Sequence, residues 1–251
     1  MRSCLACRPG GIAEVATLPD VTVVCVMDDD SWTANTDNIV VVDARRRHLV
    51  WIPRDLWSDV AGDRINAAYR RGGHELLCAA LRECGWPAAA SVVLQRSAVE
   101  RALGPLRITV PVDRTRRYWY PMLPRLRLQD GARLVVFEPP QETLEGERIH
   151  QWLGARRSAD SPPPKFPDLD RIERQQTFVR RLIEDGFDFS VLLDDLALVR
   201  LSETSALGPI EVVRVDWELH TFNRFEPETR DGRSILVRRR SFLRRVWGNR
   251  R

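Results

Sequence analysis

The run Leu49-Val50-Trp51-Ile52-Pro53-Arg54-Asp55 constrains this chain more than any other segment. Leu49 to Ile52 are apolar and suited to a strand. Pro53 has no N–H with which to continue a sheet ladder, so the strand stops there and presents Arg54 and Asp55 at its end. In open α/β sheets ligands bind at strand ends. A guanidinium held at such a place is a fork of donors suited to phosphate or carboxylate. Taken alone, the stretch also reads as an ordinary surface Arg–Asp pair, and the rest of the chain has to decide.

Other segments fall into alternating strands and helices. Val21 to Met27 is a continuous apolar run that exits into Asp28-Asp29-Asp30, the pattern of a buried strand. Asn38 to Val42 and His48 to Ile52 are two further strands joined by a short turn over Ala44 to Arg47. A helical pattern begins at Ile65 to Tyr69, breaks at Gly72-Gly73, and resumes through Leu76, Leu77, Ala80 and Leu81 until Gly85 and Pro87. Ser91 to Leu94 reads as a strand, Ser97 to Leu103 as a helix, and Arg107 to Val110 and Leu134 to Phe137 as strands. Arg114 to Arg127 reads as a loop or edge, Leu144 to Arg157 as a helix, and the proline-rich Ser158 to Asp170 as irregular. Arg171 to Ile183 is a helix with an apolar stripe, Val191 to Val199 a further apolar segment, and Ile210 to Trp217 a strand. The alternation predicts an α/β layered domain.

Composition narrows the function classes. The 251 residues are 43% hydrophobic and 29% charged, ordinary for a soluble globular protein. The net charge is +4, but Lys165 is the only lysine among 39 basic residues, which resembles the base-composition bias of a high-GC genome. Net charge therefore gives no reason to expect nucleic acid as a partner. The five cysteines are odd in number and form no disulfide framework, and Cys4-x-x-Cys7 lacks a second pair at zinc spacing. No apolar run approaches the ~18–20 residues of a membrane span, and residues 1–20, an N-terminal extension, hold no signal-peptide core. The expected location is cytoplasmic or peripheral to a membrane. Residues 226–251 read as a basic tail. Ile235, Leu236, Phe242, Leu243, Val246 and Trp247 would share one face of a helix against an arginine-rich face, able to lie on an anionic membrane surface.

Four stretches form an ordered series: Asp37 opening the strand Asn38 to Val42, Ile52-Pro53-Arg54-Asp55, Asn66-Ala67-Ala68-Tyr69 with Gly72-Gly73, and Arg171-Ile172-Glu173-Arg174-Gln175-Gln176. Leu144-x-Gly146-Glu147, running on to Arg156, precedes the last. In this order and spacing the chain resembles the LytR-CpsA-Psr family from about Val21 to Ile183. The resemblance implies a three-layer α/β/α domain over residues 21–225, with a mixed central sheet and a hydrophobic tunnel for a polyprenyl chain. It implies transfer of a glycan-1-phosphate from a polyprenyl pyrophosphate carrier to a cell-wall acceptor hydroxyl, with Mg2+ or another divalent cation. By the same resemblance Asp28 and Asp37 correspond to the metal-site acids. Arg54, Arg156, Arg171 and Gln175 correspond to pyrophosphate-binding residues, with Asp37 and Arg54 central to catalysis.

The chemistry is coherent. Converging arginines repel one another unless an anion lies between them, so such a cluster is expected to surround a ligand. Magnesium takes one or two carboxylates plus phosphate oxygens. The chain also departs from the pattern. Asn35 stands where an arginine usually precedes the Asp37 position, Gly154 replaces the first arginine of an R-x-R, the Asp28-to-Asp37 spacing is short, and the usual N-terminal membrane anchor is absent. These departures leave two alternatives: a soluble enzyme that hydrolyses or rearranges an isoprenoid diphosphate, and a non-catalytic lipid-phosphate binding protein.

Overall fold

The structure is a computed structural model that describes residues 21–122, 128–163, 167–202, 218–221, 225–230 and 233–238. Cys4 and Cys7, the strand expected at Ile210 to Trp217, and Phe242 to Trp247 lie outside the described residues. Its elements run β1 (Val21–Met27), β2 (Thr36–Asp43), β3 (His48–Trp51), β4 (Trp57–Ser58), β5 (Asp63–Arg64), α1 (Ala68–Glu83), β6 (Ala90–Leu94), α2 (Arg96–Leu103), β7 (Arg107–Pro111) and β8 (Arg116–Pro121). There follow β9 (Ala132–Phe137), β10 (Gln141–Glu145), α3 (Glu147–Gly154), β11 (Arg157–Ser158), α4 (Pro167–Glu184), β12 (Val199–Leu201), β13 (Glu218–Thr221), β14 (Phe225–Arg230) and β15 (Arg233–Arg238).

The central sheet has the order β12-β6-β1-β2-β3-β13. It is mixed, because β1 runs parallel to β6 and β3 parallel to β13 while the other pairs are antiparallel. β1 lies in its middle, which explains an apolar run with no polar alternation: both faces are covered. Val23 and Cys25 pack with Ile39, Val41, Leu77 and Leu81 on the α1 side. Val24 and Val26 pack with Val92, Leu94, Val99 and Leu192 on the other. Helix, sheet and helix thus form the expected three layers. A second hydrophobic cluster joins β7, β9 and β10 to α3 and α4, with Phe137 and Trp152 meeting edge to face at 4.9 Å.

Two segments differ from their sequence reading. Residues 116–121, read as part of a loop or edge, form a strand paired on both sides, with β9 and β11. Arg116 and Tyr118 point inward, and the apolar alternation is hidden because one inward residue is an arginine. Its terminal nitrogens pair with Asp170 and Asp113, each at 2.7 Å, and with Glu173 at 3.2 Å. The stretch from Leu144 to Arg157 is not one helix. Strand β10 ends at Glu145, Gly146 turns the chain at φ +50°, and α3 stops at Gly154. Pro167 opens α4, where a missing N–H costs nothing.

The C-terminal expectation is also corrected. Residues 233–238 form a strand paired with β14, not a helix. Leu236 donates its N–H to the Asp55 carbonyl at 2.9 Å, and Phe225 and Leu236 enter the core on the α1 side. Ile235 and Leu236 are therefore buried against the domain rather than offered to a membrane, and the boundary expected after residue 225 falls inside β14.

Gly72 and Gly73 leave helical geometry inside α1. A Cβ on Gly72 would sit 2.7 Å from Leu76 Cβ, and Gly73 has φ +61°, a region that penalises side chains. Gly73→Ala is expected to destabilise the fold by about 1–3 kcal/mol, read as a lower urea midpoint at unchanged m-value.

Candidate active site

Three chain features converge at one end of the central strands. The first is the exit of β1, where Met27 gives way to Asp28, whose N–H bonds the Asn35 carbonyl at 2.8 Å. The second is a β-bulge. Val26 pairs with Asn38 but Met27 pairs with Thr36, so Asp37 is the extra residue of β2. A bulge re-aims its side chain, and here it sets Asp37 beside Asp28. The third is the proline stop after β3. The Arg54 carbonyl accepts from Asn66 N at 3.2 Å, and the Asn66 carbonyl accepts from Thr36 Oγ1 at 3.2 Å. Asn66, from the Asn66-x-Ala68-Tyr69 motif, thus ties the arginine-bearing turn to the strand that carries Asp37.

The side chains form a chain of opposite charges. Arg54 grips Asp28 with both terminal nitrogens, Nη1 to Oδ1 at 2.9 Å and Nη2 to Oδ2 at 3.3 Å, and Nη1 also donates to Asp37 Oδ1. Arg171, on α4, places Nη1 2.6 Å from Asp37 Oδ2. Its Nη2 donates to Asp168 Oδ1 at 2.6 Å and to the Asp37 carbonyl at 3.2 Å. Arg171 is buried to 2% side-chain exposure and Arg54 to 11%, whereas Asp37 and Asp28 keep 25% and 33%. The carboxylates face outward with the guanidiniums behind them. The arginines here are balanced by protein carboxylates, which corrects the expectation that such a cluster requires a bound anion.

The two acids differ electrostatically. Burial pushes the Asp37 carboxyl up, but Arg171 and Arg54, helped by Arg156, hold it well below the usual carboxylate range. Asp28 moves the other way, raised by burial and by the neighbouring Asp37 charge against the pull of Arg54. Asp168 is likewise raised, chiefly by burial, and its Oδ2 is buried without a hydrogen-bond partner.

These carboxylates line a cavity of about 1300 Å3, larger than most small-ligand sites. Asp28, Asp37, Asp55 and Asp168 make its acidic floor, and Arg96 and Arg156 stand on its walls. Val26, Val99, Trp119, Leu128 and Leu153 contribute apolar surface. Arg156, exposed, is near enough to act on the Asp37 charge. The structure therefore unites Asp28, Asp37, Arg54, Arg171 and Arg156 in one site. Gln175 falls outside it. It is buried, its Nε2 donates to the Leu153 carbonyl at 3.0 Å, and it braces α4 against α3 from behind the cavity wall.

The sequence reading singled out none of Arg96, Tyr120, His150 and Asp168 as site residues, yet all four line the cavity. Arg96 pairs with Glu100 at 2.7 Å, four residues on, a spacing that looks like a routine helix-surface pair. At Gly154 an added Cβ would meet only Tyr120 OH, at 4.0 Å, so no crowding demands glycine there. The donor set suits a hard divalent cation. Asp28 and Asp37 offer adjacent carboxylate oxygens of the kind such a cation takes, and the Asp28 pKa is raised by burial and by the Asp37 charge.

The chain is thus an α/β/α domain with a carboxylate–guanidinium cluster at the ends of its central strands. Residues 20–204 match the LytR_cpsA_psr family, and the chain belongs to it. Members of this family are phosphotransferases of cell-wall glycopolymers. B. subtilis TagT is similar in structure with a TM-score of 0.61 at 16% identity, covering 95% of this chain and 91% of that one. TagT bound to LI-WTA has a TM-score of 0.60 at 16% identity, covering 90% and 87%. Protein gbs0355 of Streptococcus agalactiae has a TM-score of 0.64 at 16% identity, covering 90% and 84%. No curated protein matches the chain.

Asp37 joins two guanidiniums, so its loss leaves Arg54 to Asp28 alone and Arg171 to Asp168 alone. Asp37→Asn is expected to cost about 3–5 kcal/mol at pH 7. A depressed acid stabilises the fold above its unfolded pKa of about 3.9, and that contribution fades as pH falls toward the lower folded value. The wild-type advantage over Asp37→Asn in urea unfolding should therefore shrink between pH 5 and pH 2.5, values chosen on either side of about 3.9. A constant gap would contradict the assignment.

Proposed function

We propose that this chain transfers a phospho-linked glycopolymer from a polyprenyl pyrophosphate carrier to an acceptor hydroxyl. The observation that carries this reading is the Asp28–Arg54–Asp37–Arg171 cluster on the floor of a large cavity with cationic and apolar walls. The solved complex titled TagT bound to LI-WTA, on the same fold, supports a lipid-linked donor.

In this reading Asp28 and Asp37 hold Mg2+, which supplies charge neutralisation at the pyrophosphate oxygens. Arg156 and Arg96 bind phosphate oxygens from the walls. Arg54 and Arg171 keep Asp37 ionised and aimed outward, so their part in pyrophosphate binding is exerted through the carboxylates they hold. The prenyl chain lies along Val26, Val99, Trp119, Leu128 and Leu153, each buried methylene adding about 0.8 kcal/mol. The expected tunnel becomes, on this proposal, the continuation of that apolar wall. The acceptor oxygen bonds the glycan-bearing phosphorus as the bond to the lipid phosphate breaks, releasing lipid monophosphate and the hydroxyl proton. Such transfer depends mainly on positioning and charge neutralisation.

Arg156 separates binding from folding because it is exposed. Arg156→Ala is expected to weaken binding of a polyprenyl-pyrophosphate-linked glycan roughly 10- to 150-fold, the worth of one charge-assisted contact, with unchanged Tm. Equal affinity in calorimetry would remove Arg156 from the site. Lipid monophosphate release that requires an acceptor supports transfer. Release without acceptor supports the isoprenoid-diphosphate hydrolase, and binding without release supports the lipid-phosphate binder.

Gly154 offers the converse experiment. Gly154→Arg adds a cation to the same wall at a position where a Cβ meets nothing nearer than 4.0 Å. It is expected to tighten donor binding about tenfold, measured in the same calorimetric titration.

A further inference from the structure

The β13 edge of the central sheet carries a group of side chains of the metal-ligating kind. Strand β13 runs parallel to β3 with Glu218 in register with His48 and His220 with Val50. Residues two apart on a strand share a face, so Glu218 and His220 project together and His48 joins them from the neighbouring strand. Glu218 Oε2 lies 3.3 Å from His48 Nε2 and 3.1 Å from His220 Nε2. The imidazole rings meet edge to face at 4.8 Å. One ligand atom from each of the three residues can be chosen with all three within 4.8 Å of one another.

We propose that His48, Glu218 and His220 bind a divalent transition metal of the Zn2+ class. Two imidazole nitrogens and one carboxylate are a zinc ligand set, with water completing a tetrahedron. Ligands about 2.1 Å from a tetrahedral ion lie about 3.4 Å from one another. Both glutamate–histidine separations are already near that value. The rings have room to close the rest, since the His48 side chain is 30% exposed and that of His220 47%. Imidazole selects zinc, nickel or copper over magnesium, so this site differs in chemistry from the oxygen ligands Asp28 and Asp37. Glu218 is anchored from its backbone, its N–H donating to the Arg47 carbonyl at 3.0 Å.

The position suggests what the metal does. Strand β13 is four residues long and reaches α4 through Thr221, whose hydroxyl accepts from Gln176 Nε2 at 3.1 Å. An ion shared by β3 and β13 clips this edge to the strand that leads into Pro53 and Arg54. The site is structural and independent of the transferase reading.

The test is calorimetric titration of the full chain with ZnCl2 in excess Mg2+, in a Cys4→Ser/Cys7→Ser background that removes the competing thiol pair. One saturable zinc per chain is expected. Saturation at a hundredfold excess over Kd should raise Tm by about 5–10 °C. His48→Ala and His220→Ala should each weaken binding at least tenfold, Glu218→Gln should weaken it too, and Asp28→Asn should leave it unchanged. Co2+ should give d–d absorption without a thiolate charge-transfer band. Absence of saturable binding, affinity unaffected by either histidine change, loss with Asp28→Asn, or a thiolate band would each overturn the proposal.

Discussion

The guanidinium of Arg54, held between Asp28 and Asp37, is the interaction on which the site depends. Two carboxylates side by side repel, and the Asp28 pKa is raised first by burial and then by that repulsion. Arg54 makes the arrangement tenable, and Arg171 completes it from α4. Because both arginines are mostly or fully buried, their charges are poorly compensated by water and depend on the acids. The cluster thereby joins β1, β2, the turn after β3 and α4, and the fold and the site share one set of ion pairs.

The cluster also gives its two acids different chemistry. Asp37 is pinned as an anion by two cations, which suits a permanent ligand for charge. Asp28 is less well neutralised and faces the cavity with more of its surface exposed. On the proposed function, that asymmetry would favour an added cation and then an anionic donor. A donor with two phosphates and a long apolar chain would meet the cationic side chains and the apolar wall in the same cavity.

Relations among the sequence motifs become physical in the fold. Asn66 is no ligand, yet its backbone connects the Arg54 turn to Thr36 one residue before Asp37. Gln175 buttresses Leu153 on the cavity wall. Arg174 lies buried 4.5 Å over the Tyr118 ring and donates to the Trp152 and Ala155 carbonyls, so it stabilises the second lobe rather than the site. Arg171, Arg174 and Gln175 share the buried face of α4, as their i, i+3, i+4 spacing requires, while their side chains reach Asp37, the Tyr118 ring and the Leu153 carbonyl respectively. No helix among the described residues is long and apolar enough to cross a membrane.

Local covalent and hydropathic constraints were legible in the chain itself. Pro53 must end a ladder because it lacks an N–H. Val21 to Met27 must be covered on both faces because it has no polar alternation. Gly72-Gly73 weakens a helix because glycine loses the most backbone entropy on becoming helical and readily adopts other conformations. Those facts placed Asp28 and Arg54 at strand ends. Tertiary structure decided what no local pattern encodes. The bulge that turns Asp37 toward Asp28 is a register shift between two strands. The inward arginine of β8 is tolerable only because Asp113, Asp170 and Glu173 surround it. The basic C-terminal segment becomes a strand where its residues described here meet the Asp55 carbonyl and the α1-side core. Each outcome depends on partners distant in sequence, and charge pairing and strand register are properties of the assembled fold.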